Sequence, residues 1–166
     1  MRPKRLEFCG INSFSRKAEI DFDKLLSGGI FGIFGDTGSG KTTILDSMIF
    51  ALYGRADRVK DGTAGDLINY NCDRAYTNFE FETSTQEGRR VFRIERELRR
   101  KNSAQTLRLY ERTDGRLIAL SEGVKNTNAM IEEIVGLSFE EFKKCIALPQ
   151  GEFARFLKET KSERLK

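Results

Sequence analysis

The feature that most constrains this chain is a glycine-rich segment, residues 35–42 (GDTGSGKT), which stands between two stretches of different apolar spacing. Before it, Ile30 to Phe34 form a nearly continuous apolar run of strand length, as expected of a strand covered on both faces. After it, apolar residues recur at helical spacing up to Gly54, a residue type common at helix C-termini. They are Ile44, Leu45, Met48, Ile49 and Leu52. The sequence therefore predicts a buried strand that leads through a glycine loop into a helix.

The glycine loop matches the pattern G-x-x-x-x-G-K-[ST] at every fixed position. Glycines at positions 35, 38 and 40 allow positive φ and bring backbone N–H groups close to phosphate oxygens at the positive end of the following helix. Lys41 adds a charge for the β- and γ-phosphates, and the Thr42 hydroxyl can bind Mg²⁺. The alternative is a glycine-rich turn with a surface lysine, but the flanking strand and helix predictions favour a phosphate site.

The remaining pattern predicts an α/β fold. Residues 6–8 and 19–22 are predicted as an opening hairpin, and residues 55–73 as an irregular surface excursion. Residues 78–82, 90–98, 106–111 and 117–120 alternate apolar with polar side chains, which indicates an antiparallel β-meander. Flanking helices are predicted over 126–135 and 138–147, the second with a capping box formed by Ser138 and Glu141.

Composition excludes several classes of protein. The chain has no histidine, and its three cysteines (Cys9, Cys72, Cys145) are far apart, which disfavours a Ser-His-Asp triad, a zinc site and a disulfide framework. The apolar stretches are too short for a membrane span, and no apolar segment of a signal peptide follows the basic start. We therefore expect a cytoplasmic protein that does not contact a membrane.

A phosphate loop alone does not hydrolyse nucleotide, because a second strand must supply acidic residues for Mg²⁺ and for the attacking water. The chain contains no apolar run followed by Asp-Glu, and the nearest segment, Leu117 to Glu122, lacks the first acid. The nucleotide site is therefore expected to be incomplete within these 166 residues.

Two further segments leave alternatives open. The basic stretch from Arg89 to Lys101 places Phe92 and Ile94 towards the core by a two-residue period, with Arg89 and Arg93 towards solvent. That outer face could meet DNA phosphates, or it could be an ordinary solvated face interleaved with carboxylates. Residues 146–153 surround Gln150, and composition alone favours a turn between helices over a magnesium contact.

Taken together, these residues resemble the SbcC family, bacterial ABC-type ATPases of DNA repair. Four segments carry the resemblance, which spans residues 6–157. They are Ile11 to Phe14, Phe34 to Asp46, Ala51 to Gly54, and Leu148 to Leu157, the last matching the family's Q-loop. The Q-loop match reverses the preference stated above for Gln150.

The resemblance implies that residues 1–157 form the N-terminal lobe of an ABC-type P-loop ATPase head and that residues 158–166 begin a coiled-coil helix. It also implies ATP and Mg²⁺ as ligands. Lys41 and Gln150 would be catalytic, Thr42 and Gln150 would bind the metal, and Asn12, Ser13 and Phe14 would border the nucleoside. The residues around the triphosphate would be Gly35, Asp36, Thr37, Gly38, Ser39, Gly40, Lys41, Thr42 and Thr43.

The family's signature loop and catalytic acids lie in its C-terminal lobe, so the isolated fragment is expected to be inactive. By resemblance, the partners are that C-terminal lobe, a second head in a homodimer, an SbcD-like metallo-nuclease and DNA. ATP binding and hydrolysis would drive head dimerisation and control the nuclease in double-strand-break repair. The alternatives are an SMC-type chromosome-condensation head and a self-contained P-loop kinase or GTPase, which needs a second acidic strand that the sequence lacks.

Overall fold

The computed structural model describes residues 1–25, 31–55, 64–85 and 88–145. Within these ranges the strands are β1 (Arg2–Cys9), β2 (Ala18–Asp21), β3 (Arg74–Thr85), β4 (Gly88–Arg99), β5 (Gln105–Thr113) and β6 (Arg116–Glu122). The helices are α1 (Phe22–Leu25), α2 (Lys41–Tyr53), α3 (Val124–Val135) and α4 (Phe139–Cys145), with a 3₁₀ turn at Ala64–Leu67. The strands form one antiparallel sheet in the order β2-β1-β3-β4-β5-β6.

Residues 1–135 make one compact unit. Its core lies on one face of the sheet, against which α2 and α3 pack. Every second residue of the central strands points to this face, which confirms the alternation predicted from the sequence. The buried apolar side chains are Leu6 and Phe8 of β1, Phe79 and Phe81 of β3, Phe92, Ile94 and Leu98 of β4, and Leu107 and Leu109 of β5. The predicted opening hairpin and the meander are both confirmed.

Residues 136–166 make a second unit, of which the structure describes residues 136–145. The capping box predicted for its helix, α4, is confirmed. The backbone N–H of Ser138 donates to Glu141 Oε2 over 2.8 Å, and the Ser138 hydroxyl lies 2.6 Å from the same oxygen. These hydrogen bonds lower the pKa of Glu141. The predicted continuation to Ala147 lies outside the described residues.

The strand predicted over Ile30 to Phe34 is wrong for the residues that are described. Residues 31–36 have no regular secondary structure, and the Phe34 side chain is 93% exposed; Ile30 lies outside the described residues. A strand covered on both faces needs neighbouring strands to pair with its backbone. Across the described ranges, no strand of the antiparallel sheet pairs with this segment.

The apolar stripe predicted for α2 is correct only in part. Ile49 and Leu52 are buried, whereas Ile44, Leu45 and Met48 are half-buried. The face packed on the unit includes polar residues whose hydrogen bonds are made locally: the Ser47 hydroxyl donates to the Thr43 carbonyl over 2.7 Å. The helix ends as predicted at Gly54, whose φ of 68° lets its N–H donate to the Phe50 carbonyl over 2.8 Å.

None of the helices in the described ranges combines the length and the apolar character that crossing a bilayer requires.

Candidate functional site

The glycine loop ends at the N-terminus of α2. Ser39 N–H donates to the Asp36 carbonyl over 3.1 Å and closes a turn, and Gly38 and Gly40 adopt φ of 84° and 89°. Gly40 is the N-cap residue of α2 and contributes no side-chain hydrogen bond to the helix. Because glycine has no side chain, it cannot cap the first-turn N–H groups of this 13-residue helix. Uncapped N–H groups at a helix N-terminus favour anion binding.

Lys41 folds back over the loop. Its Nζ donates to the carbonyl oxygens of Gly35 and Asp36 over 2.7 and 2.6 Å and lies 3.4 Å from Ser39 Oγ. An ammonium has three donors, and two of them are used in these short bonds. The third donor has only the long contact with Ser39. It can therefore form a hydrogen bond with a phosphate oxygen while the other two donors hold the loop. The loop thus keeps one cationic donor for an anion at the N-terminus of α2, and binding of a triphosphate there stays a prediction.

The turn at residues 11–14 packs directly on this loop. Ile11 N–H donates to the Phe14 carbonyl over 3.1 Å, and Phe14 N–H donates to the Ile11 carbonyl over 2.8 Å. A Cβ built on Gly40 would lie 2.5 Å from the Phe14 ring and 2.7 Å from Ser13 Oγ. The structure therefore brings together residues 11–14 and the glycine loop, which the sequence predicts separately as parts of the nucleotide site. Their contact with a nucleoside stays a prediction.

A third segment, which the sequence analysis missed, positions this turn. Asn12 N–H donates to the Leu67 carbonyl over 2.9 Å, and Asn69 N–H donates to the Gly10 carbonyl over 2.8 Å. The Asn69 side chain also donates to the Asn12 carbonyl, and Asn12 Nδ2 lies 3.4 Å from the Asp46 carboxylate of α2. Leu67 is buried, contrary to the prediction of a surface excursion. The adjacent apolar residues at positions 67 and 68 are the sequence feature that could have predicted this burial.

The other predicted site residues are less constrained. Asp36 and Thr37 are exposed, Thr42 is half-buried and Thr43 is buried in the first turn of α2. Gln150, predicted to be catalytic and metal-binding, lies outside the described residues, as do the rest of the Q-loop segment and the coiled-coil start at 158–166.

The opposite end of α2 is held by a buried arginine, Arg96 of β4. The residue is 1% exposed, and its Nε and Nη2 donate to the carbonyls of Ala51 and Leu52 over 3.0 and 3.3 Å. Nη1 donates to Gln105 over 3.1 Å, and Nη2 donates to Asn128 over 2.7 Å. Burial lowers the pKa of Arg96 to about 9, which leaves the group protonated at neutral pH. Arg96 thus joins α2, β5 and α3 through hydrogen bonds, and its guanidinium also lies over the Phe50 ring of α2, 5.9 Å from the centroid.

This placement shows that Arg96 cannot be part of a DNA-facing surface. Of its neighbours in the basic stretch, Arg90 makes a bidentate pair with Glu111 at 2.6 and 2.7 Å. Arg93 lies 3.3 Å from Glu80 and 2.9 Å from Glu95. Arg100 donates to the backbone carbonyls of residues 68, 69 and 72. The structure favours the second alternative, a face whose arginines are matched by carboxylates and carbonyls.

With this geometry in place, comparison with known proteins defines the class of protein. A family model described as an AAA domain matches residues 5–166, and the chain belongs to this family of AAA domains. The α/β fold with a P-loop is confirmed.

The chain is also similar to longer, curated proteins. It is 42% identical to the SbcC subunit of nuclease SbcCD from Clostridium acetobutylicum over 99% of its own length and 14% of that protein. It is 37% identical to the Bacillus subtilis protein of the same name, over 99% of the chain and 15% of that protein. It is 36% identical to a probable DNA double-strand break repair Rad50 ATPase of Aquifex aeolicus, over 100% of the chain and 16% of that protein. The resemblance to the SbcC family is thereby confirmed, and the chain spans about a seventh of these relatives.

Proposed function

We propose that this chain is the ATP-binding N-terminal part of a DNA-repair ATPase head that acts in the cytoplasm. The observation that carries the proposal is the Lys41 ammonium, held by two loop carbonyls at the N-terminus of α2 with one donor left for a phosphate oxygen. The names of the relatives, a nuclease subunit and a repair ATPase, favour repair over chromosome condensation and over a self-contained kinase or GTPase.

In this proposal, residues 35–43 surround the triphosphate, Lys41 binds it, and Asn12, Ser13 and Phe14 border the nucleoside. Thr42 and Gln150 hold Mg²⁺, because hydroxyl and amide oxygens suit this hard cation. When bound, Mg²⁺ neutralises charge between the β- and γ-phosphates. The chain's own part is to hold the loop with Lys41 and to set the first turn of α2 at the phosphates.

The proposal also includes parts outside this chain. Residues 1–157 act as one lobe and residues 158–166 lead into a coiled coil. A C-terminal lobe supplies the catalytic acids, and two heads close on ATP. Closure controls an SbcD-like metallo-nuclease on DNA. The apolar run at 31–34 supports the need for a second lobe. Such a run is typical of a buried strand, yet the Phe34 side chain is 93% exposed in this chain.

The proposal is tested by titrating the 166-residue chain with a fluorescent ATP analogue in the presence of Mg²⁺. Lys41→Ala is expected to weaken binding by roughly tenfold or more, because one charge-assisted hydrogen bond to phosphate is lost. Lys101→Ala, which removes the same charge from an exposed position, is the matched control and should bind normally. Equal affinities for the two variants would contradict the phosphate site.

Turnover separates the half-site from a complete enzyme. The chain alone is expected to bind ATP without hydrolysing it, since its sequence contains no apolar run followed by Asp-Glu to bind the metal and activate water. If the purified chain hydrolysed ATP at the rate of a complete ATPase, and Lys41→Ala abolished this, the requirement for a second lobe would be wrong.

A further inference from the structure

Two of the three cysteines, far apart in sequence, meet at one backbone oxygen. Cys9 Sγ lies 3.5 Å from the Ser15 carbonyl oxygen, and Cys72 Sγ lies 3.6 Å from the same atom. The two sulfurs are therefore separated by no more than the sum of these distances. Both residues are free thiols and half-buried, so small solutes can reach them. We infer that Cys9 and Cys72 form a dithiol site that peroxide converts to an intramolecular disulfide.

Hydrogen bonds already hold the two backbone segments that carry the thiols. Asn69 N–H donates to the Gly10 carbonyl over 2.8 Å, and Ile11 forms an isolated β-bridge with Ile68. Cys72 N–H donates to the Asn69 carbonyl over 2.9 Å, and Arg100 Nε donates to the Cys72 carbonyl over 3.2 Å. Both cysteines thus lie on backbone that is already ordered by hydrogen bonds, which reduces the chain entropy that disulfide formation would still remove.

The chemistry needs hydrogen peroxide as the oxidant. A thiolate at one cysteine attacks the peroxide oxygen; the O–O bond breaks, the sulfur becomes a sulfenic acid and the leaving oxygen takes a proton as water. The second thiol then attacks that sulfur, the S–S bond forms and a second water leaves. Within the described ranges, no group of three or more His, Cys, Asp or Glu is placed to hold a metal ion.

Oxidation acts next to the candidate nucleotide site. The Ser15 carbonyl accepts contacts from both thiols, and oxidation removes both S–H donors. Ser15 directly follows Phe14, whose ring packs against Gly40 of the glycine loop. The disulfide would also tie the end of β1 covalently to the 69–72 turn that positions Asn12. We expect a change in nucleotide affinity as a result, and this part rests on the proposed function.

The experiment treats the folded 166-residue chain with hydrogen peroxide, blocks the remaining thiols by alkylation and maps peptides by mass spectrometry. The expected result is loss of two of the three titratable thiols, a peptide joining Cys9 to Cys72, and full recovery with dithiothreitol. Cys145→Ser should give the same cross-link, whereas Cys9→Ser and Cys72→Ser should each abolish it. Circular dichroism of both variants establishes that they are folded.

The site would be overturned if peroxide oxidised each thiol separately to sulfinic acid, or if Cys145 entered cross-links as often as the other two. Since peptide mapping needs no nucleotide, a failure here is distinct from a failure of the ATP titration. Comparing ATP-analogue affinity of the oxidised and reduced chain then tests the coupling: Cys145→Ser should respond to peroxide as the parent chain does, and Cys72→Ser should not.

Discussion

At the scale of single residues, Gly40 meets two separate demands, and Gly38 meets only one. Both have positive φ, but a Cβ on Gly40 would collide with Phe14 and Ser13, while a Cβ on Gly38 would meet nothing within 4 Å. We expect Gly38→Ala to cost about 1 kcal/mol through its backbone alone, and Gly40→Ala to cost roughly 2–3 kcal/mol. Urea unfolding measures both, and equal losses would mean that the Phe14 contact does not constrain the loop.

Arg96 gives a second prediction at this scale. Replacement by methionine keeps much of the volume but leaves the carbonyls of Ala51 and Leu52 without their buried donor, so we expect a loss of about 3 kcal/mol in the free energy of unfolding. Arg99→Met is the control: Arg99 is exposed and donates to Glu97 on the surface, so its loss should cost at most about 0.5 kcal/mol. Similar losses of unfolding free energy for the two variants would contradict the role of Arg96 as the buried donor to the C-terminal carbonyls of α2.

Arg96 also shows where sequence reasoning stops. Its position has the same parity as Phe92, Ile94 and Leu98, so strict alternation predicts that it faces the core. A buried arginine without a carboxylate is nevertheless disfavoured until its partners are known. Those partners are the last carbonyls of α2 and two amides, which only tertiary structure brings to β4.

At the scale of elements, the predictions are confirmed where the pattern depends only on residues close together in sequence. The meander follows from a two-residue period, and its last turn from Asp114 and Gly115, whose positive φ values suit a two-residue hairpin. The buried face of α2 is harder to predict, because the Ser47 hydroxyl donates to the Thr43 carbonyl and can therefore be buried, while Ile44 and Met48 remain half-buried. Helical spacing identifies the helix but cannot say which of two mixed faces packs on the sheet.

The pair that links β4 to β5 predicts a pH dependence. The hydrogen bonds from Arg90 hold the pKa of Glu111 below its usual value. Because the folded pKa is lowered, the stabilisation is present above the unfolded pKa and is lost as pH falls through the folded pKa. Glu111→Gln should remove this part of the acid sensitivity, worth less than about 1 kcal/mol for a pair near the surface.

The measurement is urea unfolding from neutral pH to about pH 3, below the ordinary range of carboxyl groups. Glu133→Gln, at an exposed position of α3, is the control and should keep the slope of the parent chain. If Glu111→Gln and the parent chain lost stability in parallel over this range, the Arg90 pair would make no pH-dependent contribution.

At the scale of the whole molecule, two apolar residues of the segment predicted to be a buried strand are left uncovered. Ile33 and Phe34 are exposed, and Ile44, Leu45 and Met48 of the adjoining helix are half-buried. An apolar run indicates that a segment is buried in the complete protein, but it does not identify the element that packs against it. The relatives extend far beyond the matched region, so the covering strand is expected from a further part of such a protein.

This expectation can be tested with two aromatic residues that are equally exposed, Phe34 and Tyr70, each at 93%. Phe34→Asp and Tyr70→Asp should both leave the unfolding free energy of the chain within about 0.5 kcal/mol, because neither side chain is packed. When a C-terminal lobe is supplied in trans, Phe34→Asp should prevent co-purification, since it places a charge in the apolar segment that the proposed second lobe would cover. Tyr70→Asp should co-purify as the parent chain does. If both variants associated equally well, the run at 31–34 would not be the surface on which the second lobe docks, and its apolar character would need a different explanation.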